Sequence, residues 1–312
     1  MTSSDSAAAD LNRAYFDEQA ATYDARHAKL IDRLTREIQN RLDFIGVDWA
    51  DDDDDDDEDE DVDGSESEED EEEDEEKKKD EKKPKREVRL LDYACGTGLV
   101  SRALAPYVTQ CVGVDISANM VAAYNARAQN QGLSRHEMHA VQGDLLSPIP
   151  SLPLDDDDDD DEGGCFHIAA VGMGFHHFAD PGLAARRLAA RLRRPGGVLL
   201  VVDFLAASDD GEHEHEHEHP RGHGHGHGNG KGHGHGHGNG GAHTVMHGGG
   251  FTEAQVRDMF EGAGAGGDFR LEVVGRGFVG GSGGGWGKEE EGEEEEEDGK
   301  KRVLFMARGT VV

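Results

Sequence analysis

The chain has 312 residues, a formal net charge of −36 and three cysteines. That length admits one large or two ordinary domains. The charge argues against nucleic acid as a partner, because phosphate binding relies on clustered cations. Cys95, Cys111 and Cys165 form an odd set without CxxC spacing. This speaks against a disulfide framework or a cysteine zinc site and fits a reducing compartment.

The acidity is concentrated in tracts. Asp51–Glu76 holds 22 acids, Asp155–Glu162 holds 8 and Glu289–Asp298 holds 9, with no Lys or Arg among them. Without these 39 acids the net charge would be +3, so the part able to fold is near neutral. Such runs cannot bury apolar surface and are expected to stay disordered as solvated spacers. Met1–Asp10 is small and polar, has no apolar signal core and is expected to lack order. The longest apolar run, Val198–Val202, is far too short for a membrane span. The expected location is the cytoplasm, with the nucleus open.

From Tyr15 to about Leu42 the chain reads as helix. Leu30, Ile31, Leu34, Ile38, Leu42 and Ile45 recur at helical spacing and imply one buried face. A first strand, about Val88–Ala94, runs into a glycine turn and a helix from Leu99 to about Tyr107. A second strand, Cys111–Ile116, precedes a helix capped by Ser117 and ended by Gly132. A third strand at Met138–Gln142 leads to Gly143-Asp144-Leu145, and a fourth at Phe166–Met173 to Gly174-Phe175-His176-His177-Phe178. Asp180-Pro181 is a cap with proline at the first helical position, opening a helix to about Arg194. The fifth strand is Val198–Phe204. Thr252 and Gln255 form a capping box for a helix through Phe260. Phe269–Val279 and Val303–Val311 are two final strands.

Alternation of strand and helix predicts an α/β, Rossmann-like, doubly wound sheet, and two successive terminal strands predict an antiparallel hairpin at its edge. The expected division is entry helices over 1–50, an acidic insertion over 51–85, and a domain over 86–312. Further insertions are expected at 155–162, 211–242 and 281–300. Loops that follow parallel strands lie on the ligand side of such a sheet. The His/Gly-rich tract after the fifth strand and the acidic run after the sixth belong there. The other two acidic runs belong on the opposite side.

The strand–turn–helix unit around Gly96 and Gly98 presents backbone N–H groups to a ligand. Asp115, at the end of the second strand, lies 19 positions after Gly96, the spacing that offers a carboxylate to a ribose. A dinucleotide fingerprint would continue Gly-x-Gly-x-x-Gly/Ala, whereas Ser101 stands at the third position. Asp92, four residues before Gly96, would repel a pyrophosphate and suits a cationic ligand.

Leu91-Asp92-Tyr93-Ala94-Cys95-Gly96-Thr97-Gly98 resembles motif I of the class I S-adenosylmethionine-dependent methyltransferases. Val112-Gly113-Val114-Asp115-Ile116-Ser117 with Met120 resembles their next motif. Gly143-Asp144-Leu145, Phe175-His176-His177-Phe178 and Pro195-Gly196-Gly197-Val198 match later landmarks. Phe16 to Asp24 is similar to the entry helix of the branch that includes quinone-biosynthesis C-methyltransferases. The resemblance covers about 15–47, 86–205 and 243–311. It implies a seven-stranded sheet in the order 3-2-1-4-5-7-6, with strand 7 antiparallel, and S-adenosyl-L-methionine as cofactor. It implies that Asp92 meets the methionine end through water, that Gly96 and Gly98 allow close backbone approach, and that Ala94 and Gly172 also belong to the cofactor site. Asp115 would then take the ribose hydroxyls, Ile116 and Met120 the adenine faces, and Asp144 its exocyclic amine. Leu145 would pack nearby and Tyr23 close over the cofactor.

A methyl acceptor that must lose a proton needs a base, and His176 and His177 stand where that acceptor should lie. The fourth strand ends Gly172-Met173-Gly174-Phe175 instead of the Asn/Asp-Pro-Pro-Tyr/Phe segment of enzymes acting on base or amide nitrogens. A small-molecule acceptor is therefore expected, such as a phenol, a quinone precursor or a thiol. A protein methyltransferase, a nicotinamide-dependent oxidoreductase and a non-enzymatic acidic scaffold on the same fold stand as alternatives. The tract from His213 to His247 holds 12 of the 18 histidines. It could bind zinc, nickel or copper weakly in several registers, but it lacks the fixed spacing of a catalytic metal site.

Overall fold

A computed structural model of the protein describes residues 3–50, 86–147, 165–206, 250–279 and 300–312. The chain runs α1 (Ser3–Gln39), α2 (Leu42–Ile45), β1 (Arg89–Tyr93), α3 (Leu99–Leu104), β2 (Gln110–Asp115), α4 (Ala118–Asn130) and β3 (Met138–Gln142). It continues β4 (Ile168–Gly172), α5 (Pro181–Ala189), β5 (Val198–Leu205), α6 (Glu253–Gly262), β6 (Gly267–Val279) and β7 (Lys300–Thr310). The seven strands form one sheet in the order β3-β2-β1-β4-β5-β7-β6. β1 to β5 are mutually parallel, and β7 is antiparallel to both β5 and β6. The expected architecture and strand order are thus those observed.

Alternation along the strands sorts residues onto two faces. Leu90, Cys111, Ile168 and Leu200 pack with Leu34 and Ile38 of α1 and with α3 and α4. Their neighbours Leu91, Val112, Ala169 and Leu199 pack on the other face with Leu188 of α5 and Phe260 of α6. Side chains buried on both faces explain why β1, β2, β4 and β5 read as continuous apolar runs.

The element boundaries show where packing overrides local pattern. Residues 1–10, expected without order, are helical from Ser3 onward. Ala7, Ala8 and Ala9 are strong helix formers, and Ala8 and Ala9 reach a cavity wall. The helix expected to reach Tyr107 passes into a 3-10 turn at Ala105–Tyr107, where Pro106 supplies no N–H. α5 stops at Ala189, short of Arg194, because Phe166 captures that backbone. The Phe166 N–H donates to the Arg191 carbonyl at 3.1 Å, and the Arg193 N–H to the Phe166 carbonyl at 2.9 Å. Ser117, Asp180 and Thr252 cap α4, α5 and α6 as expected, and the Thr252–Gln255 capping box is complete. The expected insertions at 51–85, 155–162 and 211–242, and all of 281–300 except Lys300, lie outside the described residues.

The strand order reverses between β1 and β4. In an open α/β sheet the crevice for a ligand forms at that point, beyond the carboxyl ends of the strands. The segments that open there are the Cys95–Gly98 turn, Ile116–Ser117, Gly143–Leu146 and Met173–Phe178.

Candidate functional site

A cavity of about 220 Å³ fills this crevice. Its floor comes from the strand ends: Tyr93, Ala94, Cys95 and Gly96 after β1, Asp115 and Ile116 after β2, Asp144 and Leu146 after β3, and Gly172 and Met173 at β4. Met120 of α4 adds to one side, and His177, Phe178 and Leu183 to the other. α1 lies across the top, presenting Asn12, Phe16, Tyr23 and His27.

Backbone geometry aims the floor at this space. Ala94 and Met173, at the ends of the adjacent strands β1 and β4, both hold positive φ, 53° and 61°. Positive φ is uncommon for residues with a Cβ and is held in place by surrounding structure. Gly172 must be small, because a Cβ there would lie 2.6 Å from Val100 Cγ2. Gly98, at the head of α3, has φ 95°, and a Cβ would meet the Tyr124 ring at 3.0 Å.

Asp115 is buried, and its carboxylate is held from two sides. The Gly96 N–H donates to Oδ2 at 2.8 Å and the Ser117 N–H to Oδ1 at 2.8 Å. Burial pushes its carboxyl up to about 6 against those hydrogen bonds. Asp144 accepts from the Leu146 N–H at 2.8 Å and from the Tyr93 hydroxyl at 3.3 Å. Burial, then Asp144, holds the Tyr93 phenol well above its ordinary range. Burial, then the charge of Asp115, pushes the Tyr23 phenol up to about 12, so it stays a neutral donor.

Two carboxylates of α1, seven residues apart, fasten it over the cavity. Asp17 accepts from the Ser117 hydroxyl at 2.6 Å and the Asn119 N–H at 3.1 Å at the start of α4. Asp24 accepts from the Thr97 hydroxyl at 2.6 Å in the glycine turn and pairs with Arg127 of α4. Arg127 also donates to the Thr97 carbonyl. These fasteners were missed by sequence reasoning. Their only local signal is two acids two helical turns apart on one face of an otherwise ordinary helix.

Of the residues singled out from the sequence, Tyr23, Ala94, Gly96, Asp115, Ile116, Met120, Asp144, Gly172 and His177 come together on the cavity wall. Asp92, Gly98, Leu145 and His176 lie behind it. Asp92 is sealed under the glycine turn, where the Ser101 N–H and hydroxyl donate to its Oδ2 at 3.0 and 2.8 Å. Leu145 is fully buried, and its neighbour Leu146 faces the cavity. His176 is held by Asp203 of β5, Nδ1 to Oδ1 at 2.6 Å, with the His176 N–H donating to Oδ2 at 3.1 Å. Its ring packs against that of His177, centroids 4.1 Å apart and planes tilted by 41°.

The charged side chains on the wall are the carboxylates Asp115, Asp144 and Asp180, and no Lys or Arg among the described residues lines it. Ile116 and Met120 put apolar surface on the Asp115–Asp144 side. This set fits a cationic ligand with a hydroxylated sugar and a flat base better than a pyrophosphate, which the carboxylates would repel. Among the described residues no three His, Cys, Asp or Glu side chains group as metal ligands, and no helix is long and apolar enough to cross a membrane.

Comparison with known proteins gives the same direction. A family described as "Methyltransferase domain" matches residues 74–264, more than half of the chain. An uncharacterized methyltransferase of Schizosaccharomyces pombe is 31% identical over 125 residues, 40% of this chain and 42% of that protein. The uncharacterized methyltransferase YcgJ of Bacillus subtilis is 33% identical over 125 residues, 40% of this chain and 44% of that one. The matched stretch thus spans less than half the length of either relative. Among solved structures, a chain from the complex of the Haloferax volcanii Trm112 methyltransferase activator with a protein described as a methyltransferase shares the fold. It has a TM-score of 0.50 and 15% identity, over 95% of this chain and 98% of that chain.

Proposed function

Because the chain belongs to the methyltransferase-domain family, we propose that it is an S-adenosylmethionine-dependent methyltransferase acting on a small molecule. The observation that carries this reading is the buried Asp115 carboxylate, held by the glycine turn on the wall of a cavity that Asp144, Ile116 and Met120 also line.

When bound, the cofactor supplies an electrophilic methyl group on a sulfonium, which is a good leaving group. Asp115 would accept from the ribose hydroxyls, and Ile116 and Met120 would flank the adenine. Asp144 would accept from the exocyclic amine, with Leu145 supporting its loop. Ala94, Gly96 and Gly172 would let the backbone approach the methionine end. Gly98 sets the turn, and Asp92 acts from beneath it, through Ser101 or a water. Tyr23 would close the site from above. The chain contributes positioning and exclusion of water, which can supply much of the acceleration of a displacement.

Where the acceptor must lose a proton, His177 is the base this reading favours, with an imidazole nitrogen taking it from the attacking hydroxyl or thiol. His176, held by Asp203, would position His177 through the contact between their rings. His177→Ala is expected to lower turnover at saturating acceptor about 100-fold if a base is used; unchanged turnover removes that role.

Calorimetry tests the cofactor assignment. S-adenosylmethionine and S-adenosylhomocysteine should bind, and NAD should not. Asp115→Asn should weaken both adenosyl ligands about tenfold or more, at a cost of roughly 1.4 kcal/mol. Binding of NAD with no affinity for S-adenosylhomocysteine would replace this reading with an oxidoreductase one. A labelled-methyl screen of cell extract, split into small-molecule and protein fractions, then identifies the acceptor fraction.

A further inference from the structure

The cavity has a second half, chemically unlike the first. Met173, His177, Phe178 and Leu183 line it with apolar and aromatic surface, joined by Asn12 and Phe16 of α1. The two sets touch. The Phe16 and His177 rings meet edge to face at 5.1 Å, and Asn12 Nδ2 donates to the His177 carbonyl at 2.9 Å. Phe178 in turn packs on Tyr93, with ring centroids at 5.3 Å. The carboxylate nearest in sequence, Asp180, already accepts from the Leu183 N–H at 2.8 Å as the cap of α5.

An anionic acceptor entering here would find no cationic side chain among the described lining residues. It would also share the cavity with the Asp115 and Asp144 carboxylates, while Asp180 is half exposed and pairs with Arg186 at 3.9 Å. Burying an unpaired charge beside like charges is strongly unfavourable. An uncharged ring loses nothing comparable and gains contact with apolar and aromatic surface. Asn12 and Phe16 also lie outside residues 74–264, the stretch shared with the family. The α1 side of this compartment therefore lies outside the matched stretch.

Resting on the methyltransferase reading, we propose that Asn12 and Phe16 are specificity-determining residues. They complete an acceptor compartment that takes an uncharged, apolar, ring-sized molecule with a hydroxyl or thiol nucleophile and excludes its anionic counterparts.

The test uses the full chain and a matched pair of probes, 2-naphthol and 2-naphthoate. Each is titrated by calorimetry into the protein alone and into protein saturated with S-adenosylhomocysteine. The expected result is that 2-naphthol binds about tenfold tighter than 2-naphthoate or better. Phe16→Ala and Asn12→Ala should lose about tenfold in 2-naphthol affinity while keeping affinity for S-adenosylhomocysteine, a split that a general folding defect would not produce. Phe16→Arg should shift the preference toward 2-naphthoate. Equal affinities, a preference for the carboxylate, or no binding of 2-naphthol up to its solubility overturns the inference. If S-adenosylhomocysteine fails to bind, the methyltransferase reading falls, and the charge preference is still read from the protein alone.

Discussion

Asp92 and Asp115 show how one side chain serves two ends. Both are buried, and burial pushes both carboxyls from 3.8 up to about 6. Asp92 is enclosed with Ser101 and holds the glycine turn from below, whereas Asp115 opens onto the cavity. Each holds its proton more tightly in the folded chain than in the unfolded one. Below 3.8 both states are protonated and stability is unaffected. As pH rises through 6 the folded chain must ionise a buried group, and stability is lost. Asp92→Asn keeps an oxygen that can accept both Ser101 donors. It should therefore stabilise the protein at pH 7 by about 1–2 kcal/mol, with the gain vanishing near pH 4, as measured by denaturant unfolding at the two pH values. For Asp115 the corresponding expectation concerns the ligand. Only the carboxylate accepts from two ribose hydroxyls, so cofactor affinity should fall as pH drops through about 6 and binding there should release protons. Calorimetry in buffers of different ionisation enthalpy reads both. At Gly98 an alanine would combine a φ of 95° with ring carbons of Tyr124 at 3.0 Å. The Tyr124 hydroxyl donates to the Ser101 hydroxyl at 2.8 Å, so the disturbance would reach Asp92. Gly98→Ala should cost about 2 kcal/mol or more, read by the same unfolding experiment.

At the scale of elements, α1 is the part that covers the crevice. Its C-terminal half packs Leu34 and Ile38 against the sheet face and also lines the cavity through His27, Leu30 and Ile31. Its N-terminal half is held over the cavity by polar contacts at Asp17 and Asp24. Removing Asp24 leaves Arg127 without its carboxylate, and burial already lowers that guanidinium's affinity for its proton. Both groups keep some contact with solvent, so screening limits the loss. Asp24→Ala should cost about 1 kcal/mol. Its signature should be local: faster amide exchange along residues 8–24 with little change in β1, β4 or β5. Uniform loss of protection across the sheet would show instead that the contact supports the whole fold. A comparable fastener lies on the other side of the site. Asp203 accepts from two donors of His176 and from the Phe204 N–H at 2.7 Å, tying the turn after β4 to β5.

For the whole molecule, topology sets on which side of the sheet each described strand end lies. β5 ends at Leu205 and β6 at Val279 on the cavity side of the sheet, and the described chain resumes on that side with Phe251 bridged to Leu205 and with Lys300 paired with Val279. Ala50 and Arg86, the described residues on either side of 51–85, lie on the opposite side of the sheet. The Ala50 N–H donates to the Tyr107 carbonyl, and Asp48 and Arg86 lie 3.7 Å apart across the gap. Replacing 51–85 by a short Gly/Ser linker should leave the fold and the affinity for S-adenosylhomocysteine unchanged, as judged by circular dichroism and calorimetry. The strands, the caps at Ser117, Asp180 and Thr252 and the glycine turn were legible in the chain because each depends on neighbours within a few residues. The strand order followed from resemblance, which carries over a topology that local pattern alone leaves open. Other features needed the folded molecule. That Asp92 lies beneath the wall and Asp115 on it, or that His177 faces the cavity and His176 faces Asp203, depends on pairings across the sheet. The placement of Asn12, Phe16, Asp17 and Asp24 over the site joins residues up to 165 positions apart. Local periodicity shows that a helix has a buried face. Only packing against the rest of the chain determines what that face covers.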